Sequence, residues 1–296
     1  MKGLIVINAY PNGEKFLRQS ERIGAELRLR GVETTVLRNG QISFTVGATG
    51  ALSLSTQEKY AFAVYLDKDK YLGAALERTG LRLFNSARAV ELCDDKVTTY
   101  LALQEAGLRL AETVPAPLCY TPNANPDEDF LRRVAATLGF PTVVKKSYGS
   151  FGEGVRLARD FEELKSAAKA FLYQPHCYQK FVAESFGRDI RVIVIGGKAV
   201  AAMARVAQGG EFRSNIELGG IGKPIALSKP YAVAAERAAQ KIGLDYCGVD
   251  LLETSDGPVL CEVNSNAFFE GLESATGFNV AGAYAEYIVQ TVSKEK

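Results

Sequence analysis

The sequence predicts a mixed α/β and α+β fold, with a parallel sheet first, a small α+β unit in the middle and an antiparallel sheet last. Near the start, short apolar strands at residues 4–7 and 32–37 flank a segment of helical spacing at 14–30. This β-α-β alternation is typical of a parallel sheet. Near the end, two strand-like segments flank the turn 254–257, and this predicts an antiparallel hairpin.

Three domains are expected, at residues 1–90, 91–176 and 177–296. In the first, the opening β-α-β unit is followed by a strand at 61–66, a helix at 70–79 and a strand at 81–84. The expected elements of the second are one helix at 91–106, a helix from 125 or 126 to 139, strands at 142–146 and 154–158, and a helix from 160. Those of the third are strands at 177–182 and 190–195, a helix at 231–242, the hairpin, and a last helix at 280–292.

Composition limits the function classes. The chain has 296 residues and 47% hydrophobic content, which is enough for two or three packed domains. It carries 35 Lys and Arg against 34 Asp and Glu, a net charge of +1, so nucleic acid and anionic membranes are not expected as main partners. The opening apolar run is too short for a secretory signal, and no later run could span a bilayer. A cytoplasmic location is therefore expected.

Cysteine and histidine usage excludes several kinds of site. The five cysteines are scattered without a C-x-x-C pair, so neither a disulfide framework nor a zinc cluster is indicated. The single histidine, His176, excludes His-pair metal sites and would have to serve any Ser-His-Asp or Cys-His mechanism alone. No G-x-S-x-G nucleophile turn accompanies it. We interpret His176 as structural.

The hairpin carries the most informative residues. Pairing symmetric about Asp256 puts Asp250 opposite Glu262, and Asn264 shares a face with Glu262 by the two-residue period of a strand. Two carboxylates and an amide then lie beside Leu252 and Leu260, with an apolar opposite face at residues 249, 251, 259, 261 and 263. Oxygen ligands of this kind suit Mg²⁺ shared with a polyphosphate. A slip of one residue would separate them, and a solvated acidic edge is the alternative.

A glycine-rich loop at residues 145–154 lies between two predicted strands. Its spacing is G-x-x-G-x-G, and Lys145 stands just before it. Both the dinucleotide-binding fingerprint and the P-loop have other spacings and open a helix, so a Rossmann dehydrogenase is disfavoured. The backbone N–H groups of such a loop, here around Gly149, Ser150 and Gly152, can close over a polyphosphate. A simple turn is the alternative.

Two further groups of polar donors stand out. Arg213, Ser214 and Asn215 precede the glycine-rich segment 219–222, and a guanidinium suits a transferring phosphoryl group or a developing oxyanion. Lys96 follows two aspartates at the start of a predicted helix. For Arg213 the alternative is a solvated loop arginine, and for Lys96 it is ordinary surface charge.

Read in order, these motifs resemble the ATP-grasp superfamily, and most closely the RimK-like carboxylate–amine ligases, also called α-L-glutamate ligases. The match is most specific at residues 212–215, 248–251, 262–264 and 270–277, and it covers about residues 60–290. The resemblance implies an ATP-grasp fold. The roles it implies are phosphate contacts for Lys96 and Lys145, adenine contacts from the backbone of Lys180, Phe181 and Val182, a ribose contact for Asp189, γ-phosphate or acyl-phosphate contacts for Arg213 and Asn215, and two Mg²⁺ ions on Asp250, Glu262 and Asn264.

The reaction that the resemblance implies uses ATP and Mg²⁺, with Mn²⁺ as an alternative ion. A carboxylate attacks the γ-phosphorus, and an amine then displaces phosphate from the acyl phosphate to leave an amide. Such phosphoryl transfer needs positioning and charge neutralisation rather than a side-chain nucleophile. The substrates would be a carboxylate donor and a small-molecule, peptide or protein acceptor, with glutamate as one candidate amino acid. The chain could be a homo-oligomer, because relatives often are.

Two alternatives remain open at this stage, a non-catalytic nucleotide-binding regulator and another ATP-grasp enzyme such as a dipeptide ligase. Two departures from the family also affect specificity. Lys180 stands where relatives usually have an acidic residue. After Asn264, relatives commonly continue with a small residue and Pro-Gly, whereas this chain has the run 265–270, which contains Phe268 and Phe269. The second departure could reshape the acceptor pocket, so the identity of both substrates is left open.

Overall fold

A computed structural model describes residues 1–10, 14–56, 58–150, 152 and 154–295. The first part of the chain forms a four-stranded parallel sheet in the order β2-β1-β5-β6, with a small separate hairpin, β3-β4. Its elements are β1 (Lys2–Ile7), α1 (Lys15–Leu29), β2 (Glu33–Arg38), β3 (Phe44–Val46), β4 (Leu52–Leu54), β5 (Phe62–Leu66), α2 (Lys70–Arg78) and β6 (Arg82–Phe84). The parallel sheet predicted from the β-α-β alternation is confirmed.

Two helices, α3 (Ala87–Asp94) and α4 (Lys96–Ala102), replace the single helix expected over residues 91–106. Asp95 separates them because its backbone is extended and its side chain caps α4, accepting hydrogen bonds from the N–H groups of Val97 and Thr98. An aspartate at this position favours a helix start over a helix interior. The break makes Lys96 the first residue of α4.

The middle of the chain forms a four-stranded antiparallel sheet in the order β7-β10-β8-β9, covered by two helices. Its elements are β7 (Thr113–Pro115), α5 (Glu128–Leu138), β8 (Thr142–Lys146), β9 (Val155–Ala158), α6 (Phe161–Phe171) and β10 (His176–Lys180). As predicted, Asp160 caps α6 by accepting from the N–H of Glu163 at 2.8 Å. Because β10 pairs with β7 and β8, a boundary after residue 176 would cut this strand, and we propose to place it after Lys180.

The last part forms a five-stranded antiparallel sheet in the order β13-β12-β11-β14-β15. Its elements are β11 (Arg188–Ile195), β12 (Lys198–Val206), β13 (Ile221–Pro224), α7 (Lys229–Ile242), β14 (Tyr246–Leu252), β15 (Val259–Asn264), α8 (Glu270–Thr276) and α9 (Val280–Lys294). Strands β12 and β13 and helix α8 were not predicted. The described helices include none long and apolar enough to cross a membrane.

The hydrophobic cores show how these parts are joined. The central sheet packs with α5 and α6 around its own core, which includes Leu131, Val144 and Leu164. By contrast, one continuous core joins the first sheet to the last part of the chain, since Ile5 and Tyr284 belong to the same buried cluster. The first sheet and the last sheet therefore share a hydrophobic interior, and the central sheet does not contribute to it.

Asn85 adds a polar connection between the first and last sheets. This buried side chain follows β6 and donates to the carbonyls of Tyr246 and Ser265 at 2.7 and 2.8 Å. Its oxygen accepts from the N–H groups of Asp245 and Tyr246 at 2.7 and 2.9 Å. These four bonds use both N–H donors and both oxygen lone pairs of the amide, so Asn85 ties the start of β14 and the loop after β15 to the first sheet.

Candidate active site

A cavity lies between the central sheet and the last sheet, and we call it the inter-sheet cavity. All the predicted site residues except Asn264 line it, and they come from both sheets, the glycine-rich loop and the loop after β12. Asn264 lines an adjoining cavity that also includes Glu262, Asn215 and Gly149, so the two spaces are continuous. Motifs that are far apart in the chain therefore lie together in one contiguous site.

Part of the lining of the inter-sheet cavity is apolar. Val143 and Val155 line it from the central sheet, Leu252 lines it from β14, and Phe181 and Phe212 form an aromatic wall with ring centroids 6.3 Å apart. Lys180 and Val182 line the same region, and the side chain of Lys180 extends to the surface, where it lies 3.6 Å from Glu112. A narrow apolar slot next to backbone groups suits a planar aromatic base.

Two lysines, Lys96 and Lys145, also line the cavity. Lys145 is 5% exposed and shares a strand face with Val143, and it has no carboxylate within 4.0 Å among the residues that the structure describes. Lys96 Nζ lies 3.2 Å from Glu262 Oε1 and donates to the carbonyl of Gly149 at 3.0 Å. Burial disfavours the charged ammonium of Lys96, but the negative charge of Glu262 outweighs it and raises the lysine pKa. Lys145 is thus available to an anionic ligand, whereas Lys96 is a cation that Glu262 and the Gly149 carbonyl already engage.

The glycine-rich loop is closed over this site by its own carbonyl groups. The Gly149 carbonyl accepts from Lys96 and the Gly152 carbonyl accepts from Arg213 at 2.9 Å. Gly152 has φ of 75°, and a Cβ there would lie 2.9 Å from Asn215 Oδ1, so the close approach of the loop to Asn215 requires glycine. The loop residues Phe151 and Glu153 lie outside the described residues.

Arg213 is held in place by its neighbour Glu211. Its Nε and one terminal nitrogen donate to the two carboxylate oxygens of Glu211 at 3.1 and 2.8 Å, and its backbone N–H donates to the same carboxylate at 3.0 Å. These bonds lower the pKa of Glu211 to about 2. Beyond Arg213, the buried Ser214 and then Asn215 also line the inter-sheet cavity.

The predicted register of the hairpin is confirmed for the two carboxylates. Asp250 on β14 pairs with Glu262 on β15, and Asn264 Nδ2 lies 3.4 Å from Asp250 Oδ2. A β-bulge follows, and the next pair is Leu251 with Leu260. The prediction that Leu260 lies beside the carboxylates is therefore wrong.

The bulge inserts one residue into β15 and reverses the side-chain alternation on one side of it. Leu260 turns into the apolar core, next to Leu251, and Cys261 lines the inter-sheet cavity, although Cys261 was expected on the apolar face. Burial raises the pKa of the Cys261 thiol, which is therefore neutral at pH 7. The bulge leaves Glu262 on the cavity side, as predicted.

Asp250 belongs to a buried network of four charges. Arg191 donates to both of its oxygens at 2.7 and 2.8 Å, and Arg205 donates to Oδ2 at 2.8 Å. Arg205 also binds both oxygens of Asp189, through Nε at 2.7 Å and through a terminal nitrogen. Burial opposes ionisation of Asp250, but the two guanidinium groups outweigh it and lower its pKa. The same two aspartates raise the pKa of Arg205 against the effect of burial.

This network bears on the predicted role of Asp189 and adds Arg205, a cavity residue that was not predicted. Asp189 lines the inter-sheet cavity, but its two oxygens are engaged by Arg205, so its ribose contact stays a prediction. Arg205 itself was not among the predicted site residues. The signal in the sequence is an arginine within the apolar run 199–206, since a charge in a buried strand needs a partner.

The residues of the hairpin fit a divalent cation. Both oxygens of Asp250 are bonded to guanidinium groups, of Arg191 and Arg205, and Glu262 Oε1 lies 3.2 Å from Lys96 Nζ, so a metal ion here has to compete with these cations. The available donors are carboxylate and amide oxygens, as Mg²⁺ prefers. In the described part of the chain no group of three or more His, Cys, Asp or Glu forms a metal cluster, so phosphate oxygens would have to complete the coordination.

Comparison with known proteins identifies the family of the chain. A sequence model of the RimK-like ATP-grasp domain matches residues 94–288. The chain is 35% identical over 228 residues to beta-citrylglutamate synthase B of Danio rerio, covering 76% of this chain and 55% of the synthase. It is 39% identical over 216 residues to a probable alpha-L-glutamate ligase of Thioalkalivibrio sulfidiphilus (strain HL-EbGR7), covering 72% of this chain and 69% of the ligase. The chain thus spans little more than half the length of the synthase.

Solved structures agree on the fold. A RimK domain protein of Sphaerobacter thermophilus superimposes with a TM-score of 0.73 at 18% identity, over 97% of this chain and 99% of that one. The ATP-grasp ligase PsnB, in complex with a minimal precursor, Mg and ADP, superimposes with a TM-score of 0.70 at 20% identity, over 98% of both chains. The predicted ATP-grasp fold is confirmed. The chain belongs to the RimK-like ATP-grasp family.

Proposed function

We propose that the chain is an ATP-dependent ligase that joins a carboxylate to an amine through an acyl phosphate. The observation that carries this proposal is the inter-sheet cavity, where the buried Lys145 and the half-buried Lys96 and Arg213 line the same space as the cross-strand pair Asp250 and Glu262. The cavity thus combines cations that suit a polyphosphate with carboxylate oxygens that suit a metal ion. The names of the two relatives, a citrylglutamate synthase and a glutamate ligase, support L-glutamate as one of the two substrates.

ATP binds in this proposal with its adenine in the apolar slot and its phosphates toward the two lysines. Phe181, Val143 and Leu252 contact the base, and backbone groups of residues 180–182 recognise its edge. Lys145 and Lys96 neutralise phosphate charge, and the backbone N–H groups around Gly149, Ser150 and Gly152 close over the chain of phosphates. Binding of the phosphates has to compete with the bonds that Lys96 makes to Glu262 and Gly149.

Asp250, Glu262 and Asn264 hold Mg²⁺ in this proposal, as two ions, with Mn²⁺ as an alternative. The complex of PsnB with Mg and ADP supports the use of this metal by the fold. When bound, Mg²⁺ neutralises phosphate oxygens and orients the γ-phosphoryl group for attack. Arg191 and Arg205 keep Asp250 ionised and fixed in position, and Asp189 orients Arg205.

Arg213 and Asn215 stabilise the transferring group. The guanidinium of Arg213 is oriented by Glu211 and lies at the mouth of the glycine-rich loop through its bond to Gly152. It can follow the negative charge as it moves from the γ-phosphate to the acyl phosphate. No nucleophilic side chain is required, and His176 is engaged elsewhere, with Nδ1 2.8 Å from the carbonyl of Gln174 and Nε2 3.0 Å from the Tyr178 hydroxyl.

The remaining parts of the proposal concern partners and location. The chain acts on a carboxylate and an amine that are small molecules, peptides or proteins, and not on nucleic acid, in a cytoplasmic setting. That the chain forms a homo-oligomer stays a prediction. The non-catalytic regulator and the dipeptide ligase are the alternatives, and the test below distinguishes the regulator from an enzyme.

Hydroxylamine trapping tests the ligase function. The protein is mixed with Mg-ATP, hydroxylamine and a panel of carboxylates that includes citrate, N-acetylated acidic amino acids and glutamyl peptides, and ADP and hydroxamate are measured. A ligase releases ADP and forms hydroxamate with at least one carboxylate, because hydroxylamine replaces the amine. Lys145→Met should abolish both signals. Lys165→Met, which removes an exposed lysine paired with Glu128 on the outside of the central sheet, should not. No ADP release with any carboxylate would support the regulator instead.

A further inference from the structure

The cavity that adjoins the inter-sheet cavity, which we call the second cavity, has features that the nucleotide does not explain. It lies between the carboxyl edge of the first sheet and the loop after β15. Its lining includes Asn8, Asp67, Arg191, Glu262, Asn264 and Asn266. Glu262, Asn215 and Gly149 also line the inter-sheet cavity, so a molecule in the second cavity reaches the proposed site of phosphoryl transfer.

Asp67 contributes a carboxylate to the lining of the second cavity. It follows β5 directly and is 4% exposed. Its Oδ1 accepts from Asn8 Nδ2 at 3.0 Å and from the N–H of Lys68 at 2.7 Å. Its Oδ2 is buried and accepts no hydrogen bond from the residues that the structure describes. A buried carboxylate oxygen in this state calls for a donor.

Asn266 places a second acceptor close by. Its Nδ2 donates at 2.9 Å to the carbonyl of Leu66, the residue just before Asp67. That bond assigns the other amide atom, Oδ1, as the acceptor. Asn266 Oδ1 is likewise buried and without a donor within the described residues. Two acceptors without donors, one of them anionic, therefore belong to residues that line the same cavity, at the end of β5 and in the loop after β15.

The neighbouring cations do not donate to these two oxygens, because they are engaged with other carboxylates. Lys68 Nζ lies 2.7 Å from Asp94 and 3.3 Å from Ser150 Oγ, and Arg191 binds Asp250. The complement of a carboxylate oxygen and an amide oxygen is a group with several N–H donors and a positive charge. An ammonium group has both properties.

We propose that Asp67 Oδ2 and Asn266 Oδ1 bind the amino group of an α-amino acid, the amine substrate of the ligase. This inference rests on the proposed function and names the class of its second substrate. The amino acid lies in the second cavity with its amino group between the first sheet and the loop after β15. Glu262 and Asn264 line the same cavity, so the amino acid shares this space with two of the proposed metal ligands. Asp67 and Asn266 are binding residues in this assignment.

Asp67→Asn tests the assignment. The variant keeps the size of the side chain but removes the charge that attracts an ammonium group. Initial rates are measured with each member of a panel of L-amino acids, L-glutamate first, together with Mg-ATP and the carboxylate that gives hydroxamate. The KM for the amino acid should rise about 10- to 100-fold, while the KM for ATP and the rate of hydroxamate formation stay within about twofold. Hydroxylamine is small and uncharged at pH 7, so it does not need the ammonium site.

Calorimetry gives a readout that does not depend on turnover. L-Glutamate and glutarate, which lacks only the amino group, are titrated into the protein with Mg²⁺ and a non-hydrolysable ATP analogue. The wild type should bind L-glutamate more tightly than glutarate, and Asp67→Asn should remove that difference. The matched control is Asp245→Asn, which removes a similarly buried aspartate that is paired with Arg82 and lies outside the second cavity. It should leave both the KM for the amino acid and the preference for L-glutamate unchanged.

Each outcome separates the two proposals. If the wild type gives no hydroxamate and no ADP with any carboxylate, the ligase function fails, and equal binding of L-glutamate and glutarate then overturns the amino-group site as well. If hydroxamate forms but no amino acid in the panel is used, the substrate class is wrong. If Asp67→Asn keeps the KM for the amino acid, the two acceptors bind water or a simple cation, and the assignment is overturned while the ligase function stands.

Discussion

Replacing Arg205 by methionine tests the buried charge network that positions Asp250. Arg205 is 2% exposed and donates to Asp189 and to Asp250, so the substitution leaves Asp189 as a buried carboxylate without its guanidinium partner. Removing one partner of a buried ion pair costs about 3–5 kcal/mol, since the charge that remains has been taken out of water. Asp250 keeps its two bonds to Arg191 and should stay ionised.

The expected loss of unfolding free energy can be converted into a decrease in melting temperature. A domain of 150–250 residues loses about 2–4 °C per kcal/mol, so Arg205→Met should melt roughly 6–20 °C below the wild type. Urea unfolding followed by circular dichroism measures the free energy of unfolding, and calorimetry measures the temperature. The matched control is the double variant Asp189→Leu with Arg205→Met, which removes both charges of the pair.

The double variant should recover most of the lost stability, because an apolar pair of similar volume is often as stable as a buried ion pair. A coupling energy of about 2 kcal/mol or more between the two sites is expected from the cycle. The reasoning is refuted if Arg205→Met loses less than about 1 kcal/mol, or if the double variant is as unstable as the sum of the two single variants. Either result would mean that Asp189 finds water or another partner when Arg205 is absent.

Four further predictions concern the site and its supports. Glu262→Gln should abolish ADP formation and leave the circular dichroism spectrum unchanged, because one ligand charge is lost and Lys96 loses its partner. Arg213→Ala should lower kcat by about 10²- to 10³-fold with little change in the KM for ATP, and an equal change in both would assign Arg213 to binding alone. Asn85→Leu should cost about 4 kcal/mol in urea unfolding, from four buried hydrogen bonds at about 1 kcal/mol each, whereas a loss under about 1 kcal/mol would refute that role. Glu211→Gln should lower stability above about pH 4.5, since the pKa of Glu211 is lowered in the folded state from 4.5 to about 2, and the difference from wild type should vanish as the pH falls toward 2 in thermal melts.

The elements whose signals are local could be predicted from the sequence. The β-α-β alternation and the turn chemistry around Gly257 gave the parallel sheet and the hairpin, and symmetry about Asp256 gave the pairing of Asp250 with Glu262. Asp160 was identified as a helix cap because its partner Glu163 lies one turn away. Each of these inferences depends on residues close together in the chain, where spacing alone determines the contact.

The rest depends on contacts that are distant in the chain. Strand β12 was missed because its run of small residues, residues 198–206, has little β-branched or aromatic content, and it is a strand because β11 and β13 flank it. The bulge that turns Leu260 inward also has no local signal, since Leu and Cys are both apolar and either could face the core. Asp67 and Asn266 are brought into one cavity only by the docking of the first sheet against the loop after β15.

The core shared by the first and last sheets has a mechanical consequence. Because Ile5 and Tyr284 are packed in one interior, the two ends of the chain should behave as a single rigid frame. The central unit has an interior of its own, including Leu131 and Val144, so a movement of this unit about the connecting segments would open neither interior. We expect nucleotide entry and product escape to occur by this movement, which would widen the slot from the side of Lys145 while the carboxylates of the hairpin stay fixed.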